Sequence, residues 1–210
     1  MVRDRELDRR QAKALLGRIP KEKKELRRRL LLAAAITKLM DTAPIVVGGT
    51  AEEYWAGGEY HATDLDLCPP PSPTERKALG SVGLRKMGRH WVADGLPVAV
   101  EFPGLGDDIE RTEVITVGGV SIRMIGREDL YLDRVRQATV GWPREDISFD
   151  SALEIALTNF SQIDWDYTRE RIARIKRHEA RVGDAMAGVN RRVRSRARRA
   201  YLRSLESQRA

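Results

Sequence analysis

Two acids separated by one residue, Asp64-Leu65-Asp66, lie in the predicted strand Thr63 to Leu67, which alternates polar and apolar from Asp64 onward. On a β-strand, positions i and i+2 share a face, so both carboxylates project together while Leu65 and Leu67 enter a core. Like charges that close repel, and a cation between them or water around them relieves the repulsion. Mg²⁺ takes one or two carboxylates together with substrate phosphates, so the pair can serve phosphate chemistry. The solvated outer face of an edge strand is the ordinary alternative.

A third acid, Glu101, stands in Val98-Ala99-Val100-Glu101-Phe102, where Val98, Val100 and Phe102 share one face and leave Glu101 opposite beside Ala99. If this strand pairs next to Thr63–Leu67, Glu101 joins Asp64 and Asp66; otherwise it is a surface glutamate. Upstream, Val46-Val47-Gly48-Gly49-Thr50 reads as a strand entering a glycine turn that opens a helix. Glycines there let backbone N–H groups approach a phosphate, the helix N-terminus adds positive partial charge, and the Thr50 hydroxyl can donate to the same anion. A Gly-Gly turn is equally the ordinary way to end a strand.

Other chemistry-bearing residues are less ordered. His61 and His90 have no zinc-ligand spacing with Cys68, whose reading is a buried small hydrophobe. Tyr54, Trp55, Tyr60 and Trp91 fall near the acidic strand in sequence and can stack a base or pack a core.

The elements that must position these groups follow from periodicity. Helices are predicted over 3–18 and 22–41, a buried strand over 45–47 and a short helix over 50–55 that Gly57-Gly58 stops. The acidic strand comes next, and Thr74 caps a helix to Leu79. Strands 89–93 and 96–102 flank Asp94-Gly95, and strands 113–117 and 120–125 flank Gly118-Gly119. Helices over 128–137, 148–159 and from 164 onward follow, the last interrupted near Gly183 and Gly188. This order predicts an α/β (α+β) chain: a small mixed sheet flanked by helices, with basic helical N- and C-terminal extensions.

At 210 residues with 41% hydrophobic and 33% charged residues, the chain is long enough for a packed core. Its longest apolar run, Leu30–Ile36, is too short to span a bilayer or act as a signal peptide. With a single cysteine the expectation is a cytoplasmic protein with no membrane partner. The net charge of +7 is unevenly spread. Residues 1–30 hold 12 Lys and Arg against 5 acids, and residues 169–210 hold 14 against 4, leaving an acidic middle. The run Arg191-Arg192-Val193-Arg194-Ser195-Arg196-Ala197-Arg198-Arg199 can grip phosphates through counterion release, or simply be the solvated face of a helix.

Gly48-Gly49-Thr50, thirteen residues, then Asp64-Leu65-Asp66-Leu67 resembles the signature of the nucleotidyltransferase superfamily that includes DNA polymerase β. Within it, the chain is similar to minimal bacterial nucleotidyltransferase-like proteins near the AbiEii-type abortive-infection toxins. Ala78-Leu79-Gly80 before Gly88-Arg89-His90-Trp91, Arg127-Glu128-Asp129-Leu130, Pro143-Arg144-Glu145-Asp146 and Ile163-Asp164-Trp165-Asp166-Tyr167 carry the likeness, which covers about 30–175. It divides the chain into a basic N-terminal extension, 1–29, a nucleotidyltransferase-like domain, 30–168, and a basic tail, 169–210. The chain departs from those toxins at Leu130-Tyr131-Leu132-Asp133-Arg134, where Arg134 replaces a lysine and can clamp phosphates without serving as a proton donor.

The resemblance implies an enzyme moving a nucleoside monophosphate from an NTP to an acceptor. Asp64, Asp66 and Glu101 would be catalytic and hold Mg²⁺ or Mn²⁺, while Gly48, Gly49 and Thr50 would cradle the β- and γ-phosphates. The acceptor would be a polyanion such as tRNA or another RNA, or a protein hydroxyl. A role as the toxin of a toxin–antitoxin pair, with an antitoxin protein as partner, belongs to the same expectation. The competing expectation is a non-catalytic module of the same fold that binds nucleic acid or a partner protein through its basic helices.

Overall fold

The computed structural model describes residues 4–57, 62–104, 106–139 and 145–208. His61, Tyr60, Gly58 and the Pro143-Arg144 part of the later motif lie outside them. The chain divides into two compact units, one of Met1–Tyr54 with Gly58–Ile125 and the other of Trp55–Gly57 with Gly126–Ala210.

The first unit opens with α1 (Arg5–Leu16), capped by Asp4, whose carboxylate accepts from the N–H groups of Glu6 and Leu7. Its sparse apolar positions Ala12, Leu15 and Leu16 are buried, and it packs on α2 (Glu25–Leu39). From Leu30 to Ile36 every residue of α2 is buried, as a helix apolar all round must be. The strands are β1 (Ile45–Val47), β2 (Asp64–Cys68), β3 (Arg85–Met87), β4 (His90–Val92), β5 (Ala99–Glu101), β6 (Thr112–Val117) and β7 (Val120–Ile125). Between β1 and β2 runs α3 (Gly48–Trp55), and α4 (Pro73–Gly80) follows β2.

The strands form one mixed sheet in the order β3-β4-β5-β2-β1-β7-β6. β2 is central, antiparallel to β1 and parallel to β5, while β1 is parallel to β7. The predicted α/β architecture is therefore present, a seven-stranded mixed sheet with helices. The β6–β7 hairpin turns on Gly118 and Gly119 at φ +61° and +85°, the pair of positive values that a two-residue turn of matching twist requires.

Three local readings are corrected. β4 and β5 do pair antiparallel around Asp94-Gly95, but through a long connection, 93–98, with Trp91 opposite Val100. A further strand, β3, pairs with β4 across Gly88; its residues are all exposed and carry no alternation to announce them. The cap of α4 is Ser72, not Thr74: Ser72 and Glu75 form a reciprocal capping box with Pro73 at the first helical position.

The second unit is helical: α5 (Arg127–Gln137), α6 (Glu145–Thr158), α7 (Trp165–His178) and α8 (Ala180–Ser207). Polar bonds join them, the first two buried. Tyr131 donates to Asn190 Oδ1 at 2.7 Å, Tyr167 donates to Asp129 Oδ1 at 2.5 Å, and the Asp164 N–H donates to Glu128 Oε1 at 3.0 Å. The predicted interruptions at Gly183 and Gly188 do not occur; the break lies at Glu179, between α7 and α8. Gly183 instead allows close packing, since a Cβ there would stand 2.4 Å from Lys176 Cα. No helix among the described residues is long and apolar enough to cross a membrane.

Candidate metal and phosphate site

Strand register decides which acids meet. In the parallel β2–β5 pair, Asp64 stands opposite Ala99, Leu65 opposite Val100 and Asp66 opposite Glu101. Partners in register share a face at the strand spacing of about 4.8 Å. Leu65, Leu67 and Val100 are fully buried on one side, while Asp64, Asp66 and Glu101 are half-buried on the other. β2 is thus a central strand, not the solvated edge that would have made its acids ordinary.

The glycine turn adjoins the same face. Val47 pairs with Asp66, and Gly48, at φ +60°, follows directly. A Cβ on Gly48 would stand 2.0 Å from Asp66 Oδ2, so only glycine leaves room for that carboxylate. Thr50 is fully buried, and its hydroxyl donates to the Asp64 carbonyl at 2.9 Å. That hydroxyl fastens α3 to β2, a different use from the phosphate contact expected of it. Gly49 lies in the first turn of the same helix, where backbone N–H groups lack helical partners and favour an anion.

A second anchor holds α3 and the entry to β2 in place. Arg29 of α2, buried to 3% exposure, forms an ion pair with Glu53 of α3 and donates to the Ala62 carbonyl at 2.6 Å. The Ala62 N–H returns a bond to the same Glu53 oxygen at 3.2 Å. Two residues later the chain reaches Asp64.

One histidine joins the acids. Trp91 opposite Val100 places His90 opposite Glu101 in the antiparallel β4–β5 pair. Single ligand atoms of Asp64, His90 and Glu101 all lie within 4.8 Å of one another. Asp66 is not a member of that group and lies against Gly48 instead. Glu101 Oε1 is shielded from solvent, within ion-pair reach of Arg89 Nε at 3.0 Å and closer to His90 Nε2, yet it accepts no well-formed hydrogen bond. A buried anionic oxygen without a hydrogen bond, beside two further ligand atoms, fits a divalent cation.

The aromatic candidates divide. Trp91 and Trp55 are buried, Trp91 edge-on to Phe102 at 6.5 Å, so both pack a core. Cys68 is buried as a small hydrophobe. Arg134, on α5, pairs with Asp133 at 2.7 Å and contacts Gln137 at 3.3 Å.

No family model matches the chain, and no curated protein matches it in sequence. Among solved structures it is similar to an antigenic nucleotidyltransferase-like protein from Paracoccidioides brasiliensis, with a TM-score of 0.46 and 13% identity over 76% of this chain and 91% of that one.

Proposed function

We propose that the chain is a metal-dependent nucleotidyltransferase that moves a nucleoside monophosphate from an NTP to an acceptor hydroxyl. The observation that carries this reading is the register of Asp66 with Glu101, with Asp64 on the same face and the Gly48-Gly49 turn against Asp66. Asp64, Asp66 and Glu101 would hold the ion, Mg²⁺ or Mn²⁺. A divalent cation bound there would neutralise triphosphate charge and stabilise the charge that develops around the pentacoordinate phosphorus of the transition state.

The chain's own groups then do the following. The N–H groups at the start of α3 receive the β- and γ-phosphates. Glu101 or Asp66 accepts the proton of the acceptor hydroxyl, whose oxygen forms the new bond to the α-phosphorus. The bond from that phosphorus to the α–β bridging oxygen breaks, and pyrophosphate leaves. The Arg29–Glu53 pair and the Thr50 hydroxyl keep the strand and helix in place while this happens.

A polyanionic acceptor, tRNA or another RNA, is favoured over a protein hydroxyl by α8, where Arg191, Arg192, Arg196, Arg198 and Arg199 are exposed. A toxin role with a cognate antitoxin is compatible with this chemistry. The same arginines favour the second reading, a non-catalytic module that binds RNA.

The test incubates the protein with Mg²⁺ or Mn²⁺, each α-phosphate-labelled NTP and total cellular RNA, beside the Asp64→Ala/Asp66→Ala variant. Label on RNA or protein with the wild type alone is the expected result. Absence of transfer, with RNA retarded equally by both proteins, would establish the binding module instead.

A further inference from the structure

We propose that His90 is a metal ligand, which with Asp64 and Glu101 makes a mixed nitrogen–oxygen site that prefers a transition-metal ion such as Mn²⁺ to Mg²⁺. This rests on the metal-dependent reading and goes beyond it, since the acidic strands alone predict an all-oxygen site.

Three observations converge on His90. Backbone pairing, and not a mobile loop, puts it beside Glu101: the β4–β5 register sets its strand position opposite that residue. One of its ring nitrogens and one oxygen each from Asp64 and Glu101 lie within 4.8 Å of one another. Two atoms bound to one ion at about 2.1 Å each are at most about 4.2 Å apart, so small side-chain rotations bring the three into coordination range. Finally, Glu101 Oε1 is shielded from solvent but lacks a hydrogen bond. The Arg89 ion pair to that oxygen is a weak competitor for the place, because the arginine side chain is 77% exposed and a solvent-exposed pair contributes little.

The donor set bears on the choice of ion. Mg²⁺ seeks oxygen and gives up water reluctantly, so an imidazole adds little to its binding. Mn²⁺ takes carboxylate oxygen as Mg²⁺ does, but as a first-row transition ion it also binds nitrogen donors, at the weak end of a series that rises through Fe²⁺ and Ni²⁺ to Cu²⁺. The nitrogen turned toward Glu101 is Nε2, so ligation uses its lone pair, with the ring proton on Nδ1. In that arrangement Trp91, the next residue, points to the buried side of the strand and His90 to the open one.

The experiment titrates the full-length protein with Mn²⁺ and with Mg²⁺ separately, and records pulsed electron paramagnetic resonance of the Mn²⁺-loaded protein. A ¹⁴N modulation from one imidazole is expected in the wild type and absent in His90→Ala. Mn²⁺ affinity should fall at least about 10-fold in that variant while Mg²⁺ affinity changes little. Glu101→Gln should weaken both ions. Should His90→Ala fold poorly, His90→Gln repeats the comparison, and His61→Ala should keep the ¹⁴N signal. A bound Mn²⁺ with no nitrogen coupling, or equal Mn²⁺ affinity in a folded His90→Ala, overturns the assignment. Failure of nucleotidyl transfer with the nitrogen coupling intact would instead sink the catalytic reading and leave this metal site standing.

Discussion

The backbone of Gly48 lies directly against the carboxylate of Asp66, where a Cβ would come within 2.0 Å of Oδ2 and 2.8 Å of Cγ. The turn that ends β1 and the acid presented by β2 therefore occupy one another's space. Gly48→Ala must displace Asp66, and it also places an alanine at φ +60°, a strain of roughly 1–2 kcal/mol. Gly83→Ala is the matched control, with φ +94° and nothing within 4 Å of its Cβ. Both variants should lose stability in urea unfolding, Gly48→Ala by more because it also displaces Asp66. Only Gly48→Ala should lose transfer, by about 100-fold for a displacement near 1 Å. Equal transfer by the two variants would remove Asp66 from the site.

Arg29 and Glu53 form a buried pair at 3% and 6% side-chain exposure. Removing one partner of such a pair strands the other charge, at a cost of about 3–5 kcal/mol. Arg29→Met should therefore destabilise by that amount, and Arg29→Met/Glu53→Leu by clearly less. A double-mutant cycle by denaturant unfolding measures the difference. Additive single effects would show that the two side chains do not interact.

The sequence makes some of this plain and hides the rest for physical reasons. Alternation in Asp64–Leu67 writes the burial pattern of β2 directly, because a strand facing a core on one side must alternate. Gly118-Gly119 states its turn because no other residue adopts two positive φ values so cheaply. Arg29 is hidden: it stands in Arg27-Arg28-Arg29, and only the helix phase and the Ala62 carbonyl distinguish it from its neighbours. His90 is hidden for a related reason. Its approach to Glu101 depends on β4–β5 pairing across a long connection, while the local cue points to a shorter hairpin. Gly183 misleads because a glycine within a helix can mark an end or a close approach, and here it is the approach to Lys176.

Acid should weaken the α4 end of the first unit through Glu75. Burial alone would raise this carboxyl. Hydrogen bonds from the Ser72 N–H and hydroxyl and from the Asp41 and Thr42 N–H groups outweigh that and hold it below its ordinary value. A carboxyl depressed in the folded state contributes stability that is present above its unfolded pKa, about 4.3, and lost as pH falls through the lower folded value. The stability advantage of wild type over Glu75→Gln should thus be full at pH 7 and shrink below about pH 4. Urea titrations of both proteins from pH 7 to pH 3 check this; a constant difference would contradict it. Ser72→Ala, which breaks the capping box, should cost about 0.5–2 kcal/mol at neutral pH.

Binding of RNA by α8 is separable from the acidic site through its salt dependence. Arg191 and Arg198 are exposed and two turns apart on one face, whereas Arg194 lies over the Trp165 ring at 5.3 Å and contributes packing. Each phosphate that an arginine no longer neutralises lowers the slope of log affinity against log salt by about 0.7 on a single strand and about 0.9 on a duplex. Arg191→Gln/Arg198→Gln should therefore flatten the slope by about 1.4–1.8 with little change in melting temperature. Arg194→Gln should lower the melting temperature instead, because it uncovers an indole. Asp64→Asn should leave the slope unchanged, since its carboxylate is carried by the sheet and neutralises no phosphate. If the double arginine variant binds with the wild-type slope, the arginines of α8 are a solvated helix face and the acceptor is held elsewhere.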